Sequence, residues 1–181
     1  MTKPNIIVCG ILDTKGKEIK KLKEMINKSG GAARIMEISV GNEVGWADIP
    51  LSEILMTINQ TSENIVGKNR DEASEIIIDA GKKYILKLYK EGLVDGIISY
   101  GGSMGATIAT SIMKELPIGV PKFMLTTMAS GDVRSYIGTK DITLMYPIAE
   151  AGLNRVTKEI LARSAAGVVA MSKKPKVDLE D

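Results

Sequence analysis

Short apolar runs alternate with segments of helical periodicity along most of the chain. The runs cover residues 5–12, 34–40, 94–100, 122–126 and 142–146. Between them, apolar residues recur every three or four positions, most clearly over residues 71–91. Buried strands that alternate with amphipathic helices are typical of βαβ units and of parallel sheets. The pattern therefore predicts an α/β fold with a mainly parallel sheet of about five strands.

Glycines, prolines and short polar residues mark the ends of the other elements. The first helix is expected after the turn Asp13-Thr14-Lys15-Gly16, with Asp13 or Thr14 as its cap. Further helices are predicted over residues 52–58, 71–91, from the glycine turn after residue 100 to 116, and over 151–171. Residues 128–141 are expected to be loop. We expect one domain over residues 1–172 and a charged, flexible tail over residues 173–181.

Composition narrows the class of protein. The 24 basic and 22 acidic residues nearly balance, which gives no electrostatic case for a nucleic-acid partner. The sequence has no histidine, so the commonest general base and imidazole metal sites are excluded. A single cysteine, Cys9, and the lack of any apolar run of about 18 residues favour a cytoplasmic protein without a membrane partner. Trp46 is a candidate to stack on a base or fill an interface, with packing as the simpler role.

Residues 101–105 follow a predicted strand directly and open a predicted helix. Glycines in such a turn let backbone amides approach an anion closely at the helix N-terminus. The segment is not a Walker A motif, because no Gly-Lys-Ser/Thr ends it, and it does not match GxGxxG. The alternative is a tight turn that allows close helix packing. We predict that phosphate is held by Gly101, Gly102, Ser103, Met104 and Gly105.

Two other polar loops follow predicted strands and are expected at the same edge of the sheet. One contains Asp13, Thr14 and Lys15. The other consists of Thr127, Met128, Ala129, Ser130, Gly131 and Asp132. Ligands of open parallel sheets bind outside the carboxyl ends of the strands. The three loops together therefore predict one site for a small phosphorylated ligand.

Each charged residue near this edge has two interpretations. The positive charge of Lys15 is unfavourable at a helix N-terminus, and a bound phosphate would explain its presence there. The alternative is that Lys15 is one more exposed lysine of a lysine-rich helix. Arg70 suits a terminal phosphate or carboxylate, or is simply solvated. Candidate ligands for a magnesium ion carried by a nucleotide are Asp13, Asp132 and Asp141. Helix caps and Asx-turns are the simpler explanation of these three residues.

Five motifs in this order resemble one known family. They are Leu-Asp-Thr-Lys-Gly-Lys-Glu at residues 12–18, Tyr-Gly-Gly-Ser at 100–103, Thr-Thr-Met-Ala-Ser-Gly-Asp at 126–132, Gly-Thr-Lys-Asp-Ile at 138–142 and Ala-Gly-Leu-Asn-Arg at 151–155. Over residues 6–171 the chain resembles the ATP-binding family named after a plant tobamovirus-resistance protein, an inhibitor of viral RNA replication. The resemblance implies a Rossmann-like three-layer α/β sandwich that binds ATP at the predicted edge. It also implicates Lys15 and Arg70, together with the two loops after residues 100 and 126.

The chain departs from that family's pattern in two respects. The family's turn usually reads Gly-Gly-Ser-Gly-Gly-Thr, whereas Met104, Gly105 and Ala106 follow Ser103 here. We expect this change to reshape the contact with phosphate. Family members usually carry a second α/β domain after this one. The chain is therefore expected to be the N-terminal half alone, the product of a split gene, or a shortened piece.

These observations predict a nucleotide-binding domain with ATP as its ligand and magnesium as a candidate companion. The alternative is a subunit of a metabolic enzyme that acts on a small phosphorylated or carboxylated substrate, completed by a separate second-half partner. A third possibility is an interaction module that keeps the fold without the ligand site. Neither the residues nor the resemblance supplies a reaction. Residues 41–58 include apolar side chains that are expected to be exposed in a single chain. Contact with a second copy of the chain would cover them, so we predict a homo-oligomer.

Overall fold

A five-stranded sheet forms the centre of the protein. The structure, a computed structural model, describes residues 2–65, 67–148 and 152–173. The strand order is β2-β1-β3-β4-β5, and every neighbouring pair is parallel. The strands are β1 (Asn5–Gly10), β2 (Ala32–Glu37), β3 (Gly96–Tyr100), β4 (Lys122–Leu125) and β5 (Ile142–Met145). This sheet confirms the predicted α/β fold.

Helices cover both faces of the sheet. They are α1 (Leu12–Lys28), α2 (Leu51–Leu55), α3 (Arg70–Lys90), α4 (Ser103–Met113), α5 (Arg134–Ile137) and α6 (Arg155–Ser172). Short 3₁₀ turns occupy Met56–Ile58, Ser62–Asn64 and Thr127–Ser130. Helices α1 and α6 pack on one face, and α3 and α4 pack on the other. The result is a Rossmann-like three-layer sandwich.

Alternate residues of β1 enter two separate hydrophobic cores. Ile7 and Cys9 pack with side chains of α3 and α4. Ile6 and Val8 pack with side chains of α1 and α6. Because both faces of the sheet are covered, the strand is apolar at successive positions rather than at every second one. The continuous apolar runs in the sequence therefore locate the strands.

Two predicted strands, β1 and β2, end two and three residues earlier than expected, and β4 and β5 end one residue earlier. The run over residues 5–12 includes the start of α1, so β1 ends at Gly10. The run over residues 34–40 extends past the end of β2 at Glu37. Gly10 and Glu37 are register partners, so both strands stop at the same rung of the ladder. Backbone pairing, rather than apolar character, sets these ends.

The segments after β4 also differ from the prediction. Residues 128–141, expected to be loop, contain most of the 3₁₀ turn Thr127–Ser130 and the one-turn helix α5. Helix α6 begins at Arg155, where the Asn154 side chain accepts the Thr157 N–H at 2.9 Å as a cap. The expected helix start at residue 151 and the tail over 174–181 lie outside the described residues.

The strand order changes direction between β1 and β3. From β1 the chain continues to β2 on one side and then crosses to β3 on the other side. Helix α1 follows β1 onto one face, whereas α4 follows β3 onto the opposite face. The turns that leave these two neighbouring strands therefore diverge. Such a divergence creates a crevice at the carboxyl edge of the sheet.

Candidate functional site

A cavity of about 350 Å³ opens at this crevice. Residues from two of the three predicted loops, together with the start of α3, line it: Asp13, Thr14, Lys15, Arg70, Gly101, Gly102, Ser103, Met104 and Gly105. Three residues that the sequence did not single out also line it: Ile11, Val40 and Gly41. The β1–α1 turn, the glycine turn and the N-terminal end of α3 thus surround one space.

The β1–α1 turn is held by a residue from a different part of the chain. Helix α1 begins at Leu12, so Asp13 and Thr14 lie inside its first turn and neither caps it. The N-cap is Ile11, whose side chain cannot accept a hydrogen bond. The Leu12 N–H donates instead to Ser39 Oγ at 2.9 Å. The expectation that Asp13 or Thr14 caps the helix is therefore wrong.

Lys15 lies at a kink in α1. Its φ of −121° and ψ of 15° are not helical and separate the first turn from the rest of the helix. Its side chain is half-buried, and Nζ is 5.5 Å from the centre of the Tyr100 ring. An ammonium group at this distance is attracted to the face of an aromatic ring. Lys15 therefore links the β1–α1 turn to the end of β3, where the glycine turn begins.

Arg70 brings a second positive charge to the cavity. It is the first residue of α3, and its side chain is exposed. The Asn69 side chain caps this helix by accepting the Glu72 N–H at 2.9 Å, which fixes the backbone beside Arg70. Lys15 and Arg70 thus border one cavity from two different elements. Two cations in one concave site favour an anionic ligand.

The glycine turn allows a close approach between backbone segments. A Cβ atom on Gly101 would lie 3.2 Å from the Cα of Gly105, in the first turn of α4. Gly102 is the N-cap of α4, no side chain caps the helix there, and a Cβ on it would meet open space. The amides of a first helical turn have no carbonyl partner within the helix. They can therefore hydrogen-bond an anion at this end of the cavity.

The third predicted loop lies beside the cavity and not in its wall. Thr127–Ser130 form a 3₁₀ turn after β4 that contacts α4. Asp132 is exposed and accepts a hydrogen bond from the Arg134 guanidinium at 2.5 Å. This hydrogen bond lowers the pKa of Asp132. Among the described residues that line the cavity, none comes from 127–132.

One of the three carboxylates considered for magnesium borders the cavity, namely Asp13. Asp132 is paired outside it. Asp141 precedes β5 at the amino edge of the sheet, away from the cavity, where it accepts hydrogen bonds from Lys122 Nζ and Gly119 N–H, both at 2.7 Å. Its role is structural. Within residues 2–65, 67–148 and 152–173, no cluster of three His, Cys, Asp or Glu side chains is placed to hold a metal ion.

Sequence reasoning missed the apolar side of the cavity. Ile11 and Val40, which the sequence did not single out, and Met104, which it assigned to phosphate, are half-buried on this side and pack against the core between the sheet and α3. Val40 and Gly41 follow β2, and β2 pairs with β1. The signal was present, since the ends of neighbouring parallel strands lie at the same edge. Such a surface suits the apolar part of a ligand.

Residues 41–58 fold back onto the domain. Trp46 lies against Gly16, and the Lys20 ammonium is 3.8 Å from the centre of its ring. Met56 is 71% exposed. Four other apolar residues of the stretch are buried: Ile49, Leu51, Ile54 and Leu55. The homo-oligomer expected from this stretch stays a prediction, which a solution mass from light scattering decides.

Two further features bear on chemistry and location. Cys9 is 0% exposed, and burial raises its pKa to about 12, which makes the thiol a poor nucleophile. Among the helices that the structure describes, none has the length and apolar character needed to cross a bilayer.

Microbial relatives are similar over nearly the whole chain. Residues 4–177 match the family described as "Uncharacterised protein family (UPF0261) N-terminal domain". A UPF0261 protein of Clostridium tetani is 36% identical over 171 residues, which cover 93% of this chain and 42% of that protein. A UPF0261 protein of Rhizobium meliloti is 32% identical over 171 residues, which cover 94% of this chain and 42% of that protein.

A plant relative has the same extent of similarity. The tomato (Solanum lycopersicum) "ToMV susceptible protein tm-1(GCR26)" is 30% identical over 186 residues, which cover 93% of this chain and 25% of that protein. The "ToMV resistance protein Tm-1(GCR237)" of the same plant is also a relative, so the relation to plant tobamovirus-resistance proteins that the motifs indicated is confirmed, whereas ATP binding stays a prediction. The chain spans about two fifths of the length of the microbial relatives. It belongs to the UPF0261 family and corresponds to the N-terminal domain of that family.

Proposed function

We propose that this domain binds a nucleoside phosphate, ATP foremost, in the cavity between the β1–α1 turn and the glycine turn. The observation that carries the proposal is the convergence of Lys15, Arg70 and the glycine-rich start of α4 on one cavity. That cavity lies where the strand order changes direction, which is the usual ligand site of open α/β sheets. Its volume of about 350 Å³ is in the range of small-molecule pockets.

Each wall of the cavity would contribute a different interaction. The amides at the start of α4 and the Ser103 hydroxyl would donate hydrogen bonds to phosphate oxygens. Lys15 and Arg70 would counter the negative charge, and the apolar side of the cavity would contact the base. A magnesium ion carried by the triphosphate would find the Asp13 carboxylate nearest. The loop over residues 127–132 would flank the ligand from the side of β4.

Isothermal titration calorimetry with ATP, ADP, AMP, NAD and ribose 5-phosphate tests the proposal. We expect ATP to bind, and we expect the Lys15→Ala/Ser103→Ala variant to bind it at least tenfold more weakly. A hydrogen bond to a charged group is worth about 1.5–3 kcal/mol, or roughly ten- to one-hundredfold in affinity. Lys17→Ala is the matched control, because Lys17 is an exposed residue of α1 outside the cavity wall. Lack of binding of any nucleotide at millimolar concentration, or unchanged affinity in the double variant, would contradict the assignment.

The greater length of the relatives favours a second candidate function. In this alternative the domain would be a subunit of a metabolic enzyme that acts on a small phosphorylated or carboxylated substrate, and a separate partner equivalent to the rest of the longer relatives would complete the site. The domain alone would then bind the nucleotide without converting it, whereas conversion would appear once the second half is added. The assay is ATP loss and product formation measured by chromatography, with the domain alone as control. No conversion by the combined halves over a panel of such substrates would remove this candidate.

A further inference from the structure

The first turn of α1 is connected to the end of β2 by two buried side chains. Ser39 Oγ accepts the Leu12 N–H at 2.9 Å, and the Ser39 hydroxyl donates to Glu37 Oε1 at 2.9 Å. Both Glu37 and Ser39 are 0% exposed. The Thr14 and Lys15 N–H groups donate to the Ile11 carbonyl within the turn itself, at 3.4 and 2.9 Å. Ser39 thus ties the first turn of α1 to the end of β2 through hydrogen bonds.

Glu37 extends the connection to a third segment. Its Oε1 atom also accepts the Val44 N–H at 3.1 Å, so one carboxylate fixes both Ser39 and the loop that follows it. Burial raises the pKa of Glu37, the hydrogen bonds from Ser39 and Val44 oppose this effect, and the carboxylates of Glu43 and Asp13 raise the pKa further. Burying a carboxylate costs free energy unless hydrogen bonds compensate it, as those from Ser39 and Val44 do here. What the carboxylate adds is a fixed direction for its hydrogen bonds.

We propose that Glu37 and Ser39 are positioning residues of the ligand site, and that they hold Asp13, Thr14 and Lys15 at the cavity wall. This inference rests on the proposed function, because the turn that Glu37 and Ser39 fix carries Lys15, one of the two cations of the cavity. Binding groups must be held within about 0.5 Å of the productive geometry. A turn without its tertiary anchor would present the ammonium of Lys15 over a wider range of positions. Affinity for an anion would fall even though no side chain in the cavity wall has changed.

The Ser39→Ala variant tests this role against a matched buried serine. Ser164 on α6 is also 0% exposed, and its hydroxyl donates to the carbonyls of Ile160 and Leu161, far from the cavity in the chain. We expect hydrogen exchange at the Leu12 amide to accelerate at least tenfold in Ser39→Ala and to stay unchanged in Ser164→Ala. We expect the Kd for ATP to rise at least fivefold in Ser39→Ala and less than twofold in Ser164→Ala.

Two milder variants keep the test informative if Ser39→Ala folds poorly. Ser39→Thr keeps a hydroxyl acceptor and is expected to restore most of the ATP affinity. Glu37→Gln keeps one oxygen as the acceptor for Ser39 but puts an amide NH2 in place of Oε2, which also accepts the Val44 N–H at 3.4 Å, so it should accelerate exchange at Val44 more than at Leu12. Unchanged exchange at Leu12 in Ser39→Ala, or an equal loss of affinity in Ser164→Ala, overturns the positioning role. Absence of ATP binding by the wild-type domain overturns the proposed function instead, and exchange at Leu12 still decides whether Ser39 anchors the turn.

Discussion

The ion pair between Lys122 and Asp141 allows a quantitative prediction of stability. The Lys122 side chain, at the start of β4, is 0% exposed. Its ammonium group donates to the carbonyls of Pro117 and Val120 at 2.8 and 2.9 Å and to the Asp141 carboxylate at 2.7 Å. The replacement Asp141→Asn removes the negative charge from this set of acceptors. The new side chain has one oxygen where Asp141 uses two, so it can accept the Gly119 N–H or the Lys122 ammonium but not both, and one hydrogen bond is lost with the charge.

The magnitude follows from how far each partner is buried. Removing the partner of a fully buried charge destabilises a protein by about 3–5 kcal/mol. The Asp141 side chain is 38% exposed, so water screens the pair, and two carbonyl bonds to Lys122 remain. We expect Asp141→Asn to lower the free energy of unfolding by about 1–2 kcal/mol, and Tm by about 2–8 °C. The control is Glu159→Gln, which breaks an exposed ion pair on α6 and should change stability by less than about 0.5 kcal/mol.

The pH dependence separates an effect of charge from an effect of packing. Partial burial raises the pKa of Asp141, but the hydrogen bonds from Lys122 and Gly119 outweigh it and lower the pKa overall. Because the pKa is lower in the folded state, the stabilisation is present above about pH 4 and is lost as the pH falls through the folded value. Circular dichroism should show the melting temperatures of wild type and Asp141→Asn converging in acid. A constant difference from neutral pH to about pH 2.5, or a loss no larger than that of Glu159→Gln, would refute the reasoning.

The remaining predictions concern the glycine turn, the third loop and the cysteine. Gly101→Ala should lower stability by about 1–2 kcal/mol in chemical denaturation, because its Cβ would press on the backbone of α4. Gly102→Ala meets open space and should cost less than about 1 kcal/mol, which reflects only the poorer N-cap. In calorimetry, Gly102→Ala should nevertheless weaken ATP binding at least fivefold, since its methyl group would enter the cavity; equal stability losses in the two variants would contradict the close approach. Asp132→Asn should change ATP affinity less than twofold, because this side chain is held in an exposed ion pair outside the cavity wall. Cys9 should resist a thiol reagent at pH 8 in the folded protein and react once the protein is unfolded; rapid labelling of the folded state would show that the strand is not buried.

The strands were predictable from the sequence because both faces of the sheet are covered, which makes apolar character continuous along each strand. Their ends were not, because a ladder ends where its partner ends. Val40 is apolar enough to continue β2, yet β2 stops at Glu37. The register partner of Glu37 is Gly10, which is the last residue of β1. The one-turn helix α5 was missed because four residues cannot display a helical period.

The glycine turn and Lys15 could be located because each follows a strand directly, and that signal is local. Ser39, the residue that anchors α1, could not be located from the sequence. It lies 27 residues after Leu12, and nothing near Leu12 indicates it. The sequence left Asp141 open between magnesium and a structural role, which was the simpler explanation, for a related reason. A carboxylate in a polar loop suits a metal site equally well at either end of a strand, and only the direction of β5 puts Asp141 at the edge away from the cavity.

Trp46 gives the domain a natural fluorescent reporter next to the candidate site. It is the single tryptophan of the sequence, so its emission can be excited where the five tyrosines absorb little. Its ring lies against Gly16, the residue after Lys15, and below the Lys20 ammonium. A ligand that shifts the kinked start of α1 would alter the surroundings of the indole. Stopped-flow measurements on unlabelled protein could then follow the association and dissociation rates of a nucleotide at its own site.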